Sequence, residues 1–166
     1  EMPSLSDGEL SGDAISQTKQ LLRKSEGFRE MPYYDVNAFR AGYGSDTYTL
    51  ADGTVKTVKE GVPITREQAE RDLERRIKTE FMPKVARQLG DDFAKLPPSA
   101  QAALTSVAYN YGSLPASVVR ASKGGNLKSI ANAVEALKSD DKGINARRRM
   151  EEANIIRNSS IFFVTK

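Results

Sequence analysis

Apolar side chains recur at helical spacing in six stretches of the chain, and the first stretch follows a polar start. Residues 1–13 are polar and contain glycine, which predicts a flexible N-terminal arm. Ser11 or Asp13 can cap the helix that follows. Because glycine commonly ends helices, we expect this first helix to end at Glu26, immediately before Gly27.

The later helices occupy the second part of the chain. One begins at Thr65, which stands three residues before Gln68 as in a capping box, and Pro83 is expected to break or kink it. The other helices are predicted over residues 83–89, 99–111, 127–137 and 145–156. The helix over 99–111 is strongly apolar, which predicts that it forms the buried centre of a helical lobe. The apolar tail 161–164 is expected to pack against the same core.

Residues 31–62 have a different pattern, rich in tyrosine, threonine, valine and glycine. A turn signal at 51–53 separates two short strand-like runs, and residues 40–43 suit a further strand, so we expect one small antiparallel sheet. The predicted fold class is α+β, mainly α. We expect a single domain over 14–166, with a β-lobe at about 31–62, a helical lobe at about 65–166 and a cleft between them.

Composition narrows the chemistry because the 166-residue chain contains neither cysteine nor histidine. A Ser-His-Asp triad, a Cys-His pair and the usual zinc sites are therefore excluded, and carboxylates remain the acid and base groups to consider. A peptide-cleaving enzyme would need a Ser-Lys or carboxylate mechanism, and no motif for either is present. The formal charge of +3 suits anionic wall polymers and nucleic acid equally, and it also suits an ordinary solvated surface.

Two carboxylates stand close together in the sequence where the first helix ends. The negative end of the helix dipole disfavours an ionised carboxylate at Glu26, and a protonated carboxyl group is what glycosidic cleavage requires. Asp35 follows nine residues later, beside the expected sheet, and paired carboxylates across a cleft are the usual glycosidase arrangement. Taken alone, Glu26 could equally be a surface residue and Asp35 a turn residue.

Three parts of the chain resemble phage-type lysozymes, the family of endolysins and of wall-piercing enzymes in virions. The first combines Glu-Gly-Phe-Arg at 26–29, Pro-Tyr-Tyr-Asp at 32–35 and Gly-Tyr-Gly at 42–44. The second, residues 98–112, is similar to the family's central helix, and the third, residues 143–151, to its late Gly-Leu-x-x-Arg-Arg-x-x-Glu element. The chain also resembles virion-associated murein lysins, such as that of the enveloped double-stranded RNA phages.

The resemblance implies a lysozyme-like fold without a cofactor, in which Glu26 is the general acid and Asp35 the second carboxylate. Arg40 stands where the family usually has a threonine that orients water, and Ser45 stands where a histidine is common. Two mechanisms therefore stay open, hydrolysis assisted by Asp35 and lytic transglycosylation by Glu26 alone. Arg40 can bind a carboxylate of the muramic acid or pair with Glu26, Asp35 or Asp46.

The resemblance also suggests sugar contacts for Tyr43, Tyr109 and Asn110, although Tyr109 suits the core equally well. Arg147 and Arg148 are expected to brace the junction of the lobes.

The alternative class is a non-catalytic module that binds cell wall or nucleic acid, supported by the basic charge and the arginine run at 147–149. For the enzyme we expect peptidoglycan as partner, no nucleic acid, no metal, no membrane span and a monomer. We expect it in the phage virion or in the host periplasm and cell wall, since the given chain shows no signal peptide.

Overall fold

The computed structural model describes residues 13–163, with side chains as far as residue 159. The helices are α1 Ala14–Glu26, α2 Arg66–Arg76, α3 Met82–Leu89, α4 Asp91–Ala94, α5 Pro98–Tyr111, α6 Ala116–Ala121, α7 Leu127–Ala136 and α8 Ala146–Phe163. The strands are β1 Arg29–Asp35, β2 Ala38–Gly42, β3 Thr47–Thr49 and β4 Val55–Thr57. The expected α+β, mainly α fold class is confirmed. The expected arm, up to residue 12, lies outside the described residues, as do Val164 and the side chains of the rest of the expected tail 161–164.

Helix α1 begins and ends where local signals predict. The side chain of Asp13 accepts a hydrogen bond from the Ser16 amide at 2.8 Å, and this caps the first turn. At the other end Gly27 adopts a φ of 68°, and its amide donates to the Arg23 carbonyl. Glu26 is therefore the last residue of the helix, and its side chain leaves the helix where the chain turns toward β1.

The β-region of the described chain forms two separate two-stranded antiparallel sheets, so the expectation of one sheet was wrong. Strand β1 pairs with β2 through a two-residue turn, and β3 pairs with β4 around the predicted turn at 51–53. A tight reversal at Gly42 and Gly44, both with positive φ, ends β2. It brings Ser45 back onto Ala41, and the chain leaves the first sheet before β3 begins.

The long helical segment that begins at α2 continues past Pro83 instead of breaking there. The capping box of Thr65 and Gln68 is present as predicted. The irregularity lies upstream of the proline, in a π-helical turn at Ile77–Phe81. Pro83 itself stands in the first turn of α3, where a missing backbone N–H costs little.

The described residues form two large hydrophobic clusters, one in the helical lobe and one beside the sheets, and a small third one where Leu21 of α1 meets Ala102 of α5. The larger cluster surrounds α5, with Leu104, Val107, Ile130 and Ile156 completely buried, which confirms the predicted central helix. The second cluster joins α1 and α2 to β2.

Helix α8 runs beyond the predicted 145–156, and the short helices α4 and α6 have no clear periodic signal. No described helix is long and apolar enough to cross a membrane.

Candidate active site

The Glu26 side chain lies between α8 and the reversal that follows β2. It is 22% exposed, and its Oε2 accepts a hydrogen bond from Arg148 Nη1 at 2.8 Å. A Cβ atom added to Gly44 would lie 3.3 Å from Glu26 Oε1, so the backbone of the reversal closely approaches the other carboxylate oxygen. One oxygen is thus held by an arginine while the other lies against glycine backbone.

Arg148 reaches Glu26 from α8, 122 residues along the chain. Its side chain is only 10% exposed, and Nη2 donates to the Ser106 carbonyl on α5 at 3.3 Å. The sequence suggested only that Arg148 braces the junction of the lobes. It does link α8 to α1, but it does so through the candidate acid. The guanidinium of Arg148 therefore orients the Glu26 carboxyl group and places a positive charge beside it.

Behind Arg148 lies a buried charged pair, Arg149 and Glu152. Arg149 Nε donates to Glu152 Oε1 at 2.6 Å and Nη2 donates to Oε2 at 3.0 Å. The Ser106 hydroxyl donates to the same Oε2 at 2.6 Å. Burial raises the pKa of Glu152 above its usual value, although Arg149 and Ser106 both favour the carboxylate. Neither Arg149 nor Glu152 was a sequence candidate.

Asp35 lies at the end of β1, with a side chain that is 54% exposed. Its Oδ2 is 3.6 Å from Arg40 Nε, so of the pairings left open for Arg40 the structure shows the one with Asp35. Arg40 Nη1 also donates to the Gly44 carbonyl at 3.3 Å. Arg40 therefore connects the second carboxylate to the reversal that borders Glu26.

Tyr33, on β1, was not a sequence candidate. Burial raises the pKa of its phenol; the negative charges of Asp35 and Glu26 act in the same direction, and the positive charges of Arg29 and Arg40 oppose them. The Arg29 guanidinium stacks over its ring at 4.5 Å, which fixes the ring at this edge of β1. Its place two residues before Asp35 is the signal that could have singled it out.

The three proposed sugar contacts have different surroundings. Tyr43 is 3% exposed and donates its hydroxyl to Glu70 at 2.6 Å, so its ring packs inside the fold instead of facing a sugar. The Tyr109 ring packs on Phe81, and its hydroxyl donates to the Tyr43 carbonyl at 2.8 Å, which corresponds to the core alternative. Asn110 is exposed, with its side-chain oxygen bonded to Arg149.

Ser45, at the position where the family commonly has histidine, belongs to a buried polar network. Its hydroxyl donates to Asp72 at 2.6 Å. Thr47 and Thr49 also donate to Asp72, at 3.0 and 2.8 Å, and Arg75 pairs with the same carboxylate at 3.1 Å. The network attaches β3 to α2, and so it supports the reversal that precedes β3. Within residues 13–163, no cluster of three or more acidic side chains suits a metal ion.

Comparisons with known proteins agree with this architecture. The model of the phage lysozyme family matches residues 23–151. The fold is similar to the active form of the phage P1 endolysin Lyz (TM-score 0.67, 20% identity, 89% of this chain and 86% of that chain). It is also similar to the endolysin from Escherichia coli O157:H7 phage FAHEc1 (0.65, 25%, 96% and 98%). A third similar structure is the muramidase domain of SpmX from Asticaccaulis excentricus (0.64, 20%, 84% and 93%). No curated protein sequence matches the chain significantly.

Proposed function

The chain belongs to the phage lysozyme family, and we propose that it is a muramidase that cleaves the β-1,4 bond between N-acetylmuramic acid and N-acetylglucosamine in bacterial peptidoglycan. The similarity to a muramidase domain supports this substrate class. The observation that carries the proposal is the setting of Glu26, a half-buried carboxyl group at a helix end beside a nearly buried arginine. No other described carboxylate combines these features with the family's motif.

In the proposed reaction Glu26 protonates the glycosidic oxygen as the leaving sugar departs. Arg148 donates to Oε2 of this carboxyl group at 2.8 Å and orients it, and the other oxygen, Oε1, lies beside the glycine backbone of the reversal. Arg148 then stabilises the carboxylate that remains. Asn110, which is exposed and accepts a hydrogen bond from Arg149, is proposed as a sugar contact.

Asp35 is the accessory carboxylate of the proposal. In hydrolysis it positions water or stabilises the positive charge that develops on the sugar ring. In transglycosylation Glu26 acts as acid and then as base, and the sugar's own 6-hydroxyl attacks. The exposure of Asp35 and its pairing with Arg40 support an electrostatic role, because a paired and solvated carboxylate is a poor base. Arg40, 3.6 Å from Asp35, is further proposed to attract the carboxylate of muramic acid.

Mass spectrometry of the fragments released from purified peptidoglycan tests the proposal. Reducing ends indicate hydrolysis and 1,6-anhydro ends indicate transglycosylation, and either result supports glycan cleavage. Free peptides without cleaved glycan would overturn it. Asp35→Asn should slow a hydrolase strongly and a transglycosylase little. Asp46→Asn, which removes the same charge from the segment after the reversal, is the matched control and should leave the rate unchanged.

A further inference from the structure

Glu152 is a buried carboxylate to which the proposed reaction assigns no role. Its side chain is 1% exposed, and it lies on α8, one residue beyond the segment that matches the family model. A buried carboxylate without a partner is strongly unfavourable, so its surroundings must compensate the charge. Ser106 and two bonds from Arg149 supply three donors to its two oxygens. Glu152 is thus well satisfied without any hydrogen bond from Arg148.

Arg148 lies between Glu152 and Glu26. Its Nη1 donates to Glu26, whereas its Nε is 3.5 Å from Glu152 Oε2 without the geometry of a hydrogen bond. Among the side chains that the structure describes, Arg148 Nε is the one buried nitrogen or oxygen atom with no hydrogen-bond partner. A movement of roughly 0.6 Å toward Glu152 would bring it within normal N–H···O distance. Arg148 therefore has a second carboxylate within reach when its contact with Glu26 weakens.

The charges in this cluster balance. Arg148 and Arg149 contribute two positive charges, and Glu152 and Glu26 contribute two negative charges when ionised. The groups that α5 presents to the cluster, Ser106, Tyr109 and Asn110, are neutral. Burial raises the pKa of Tyr109 and that of Tyr33 on β1, the other titratable group that faces Glu26, so both phenols stay neutral as well. Without the charge of Glu152, both guanidinium groups would depend on Glu26 for compensation, and Glu26 would be held more firmly in its ionised form.

Building on the proposed function, we propose that Glu152 is a positioning residue for the general acid. Its carboxylate shares the charge of Arg148, so that Arg148 orients Glu26 without locking it in the ionised form, and it receives Arg148 Nε when Glu26 carries its proton. Glu152 touches neither substrate nor the reacting atoms, and it acts on Glu26 through Arg148 alone.

The neighbouring Glu151 provides a matched control. It stands on the same helix and carries the same charge, but it pairs with Lys24 at the surface and makes no described contact with Arg148. Glu151→Gln removes one negative charge from α8 and leaves the buried cluster intact. Any effect of Glu152→Gln that exceeds the effect of Glu151→Gln then belongs to the buried position.

The test is the pH dependence of glycan cleavage by Glu152→Gln, Glu151→Gln and the unaltered protein. For Glu152→Gln we expect a shift in the alkaline limb of the pH–rate profile, the part that reports loss of the proton from the acid. This limb should move down by about one pH unit, with KM nearly unchanged. The limb of Glu151→Gln should stay in place. In a protein that already carries Arg148→Gln, the addition of Glu152→Gln should no longer move the alkaline limb. An unmoved limb in Glu152→Gln, or the same shift with and without Arg148, would overturn the proposal.

A variant that keeps the buried charges balanced guards against loss of folding. Arg149→Gln combined with Glu152→Gln removes one charge of each sign and should move the alkaline limb in the same direction as Glu152→Gln but less far, because only Arg148 is then left for Glu26 to compensate. Carbon-13 NMR of the Glu26 carboxyl in labelled protein follows its ionisation without any activity. If the unaltered protein releases no glycan fragments, the proposed function fails. The NMR titration still decides whether Glu152 controls Glu26, because an unchanged midpoint in the Glu152→Gln variant would refute it.

Discussion

Replacement of Gly44 by alanine tests how closely the reversal after β2 holds the carboxyl group of Glu26. Gly44 has a φ of +86°, a conformation that residues with a Cβ atom rarely adopt. The added Cβ atom would lie 3.3 Å from Glu26 Oε1, which is closer than most real contacts of a Cβ atom. Either the reversal or the carboxyl group must then move by a few tenths of an ångström.

The expected cost has two parts that can be measured separately. The positive φ should lower the free energy of unfolding by roughly 1–2 kcal/mol. The displaced carboxyl group should lower the rate of wall cleavage further, by about 10-fold to 100-fold, because small misplacements of catalytic groups are costly. The first part is a property of the backbone, whereas the second exists only if Glu26 does the chemistry.

Gly53 provides the control, since it has nearly the same φ, +91°, in the turn between β3 and β4, with no atom within 4 Å of an added Cβ. Gly53→Ala should lose similar stability in urea denaturation and keep the wall-clearing rate, measured at a temperature where both variants are folded. If Gly44→Ala clears walls as fast as Gly53→Ala, Gly44 does not position the acid and the close approach has no role in activity.

Three further outcomes are expected from stability measurements. Leu104→Ala, at a completely buried position of α5, should lower the free energy of unfolding by about 2–5 kcal/mol in urea denaturation. Asp72→Asn should cost about 3 kcal/mol in the same assay, because Asp72 is buried and three hydroxyl donors and Arg75 lose a charged acceptor. Hydrogen bonds from Lys19 and Lys78 lower the pKa of Glu74 to about 2, so its contribution is complete above the ordinary pKa and is lost as the pH falls toward 2. Glu74→Gln should therefore cost up to about 1 kcal/mol at pH 7, since the pair is partly exposed, and nothing near pH 2.

Helix ends and turns were predictable because their signals are local. Asp13 and Gly27 bound α1 as expected, and the capping box at Thr65 starts α2. The division of the β-region into two sheets was not predictable. It depends on the reversal at Gly42, where a Cβ atom would clash with Ala69 of α2 at 2.9 Å, so this turn is shaped by packing against a distant helix. The predicted helix break at Pro83 did not occur, because proline is also tolerated in the first turn of a helix.

The residues of the candidate site likewise divide into those with a local sequence signal and those brought in by distant packing. Glu26 and Asp35 could be proposed from the sequence because the motif around them is contiguous. Arg148 and Glu152 lie more than a hundred residues further along, and only folding brings α8 against α1, so no local pattern could assign them to the site. The inward direction of the Tyr43 side chain, toward Glu70 of α2, had no local signal either.

The most direct test of the central claim compares the unaltered protein with Glu26→Gln on purified peptidoglycan, with the released fragments followed by mass spectrometry. The unaltered protein should release glycan fragments that end at muramic acid, as reducing or 1,6-anhydro sugars. Glu26→Gln should release none, while urea denaturation shows that it is folded. Glycan release by the folded Glu26→Gln protein at the unaltered rate would contradict the assignment of Glu26 as the general acid.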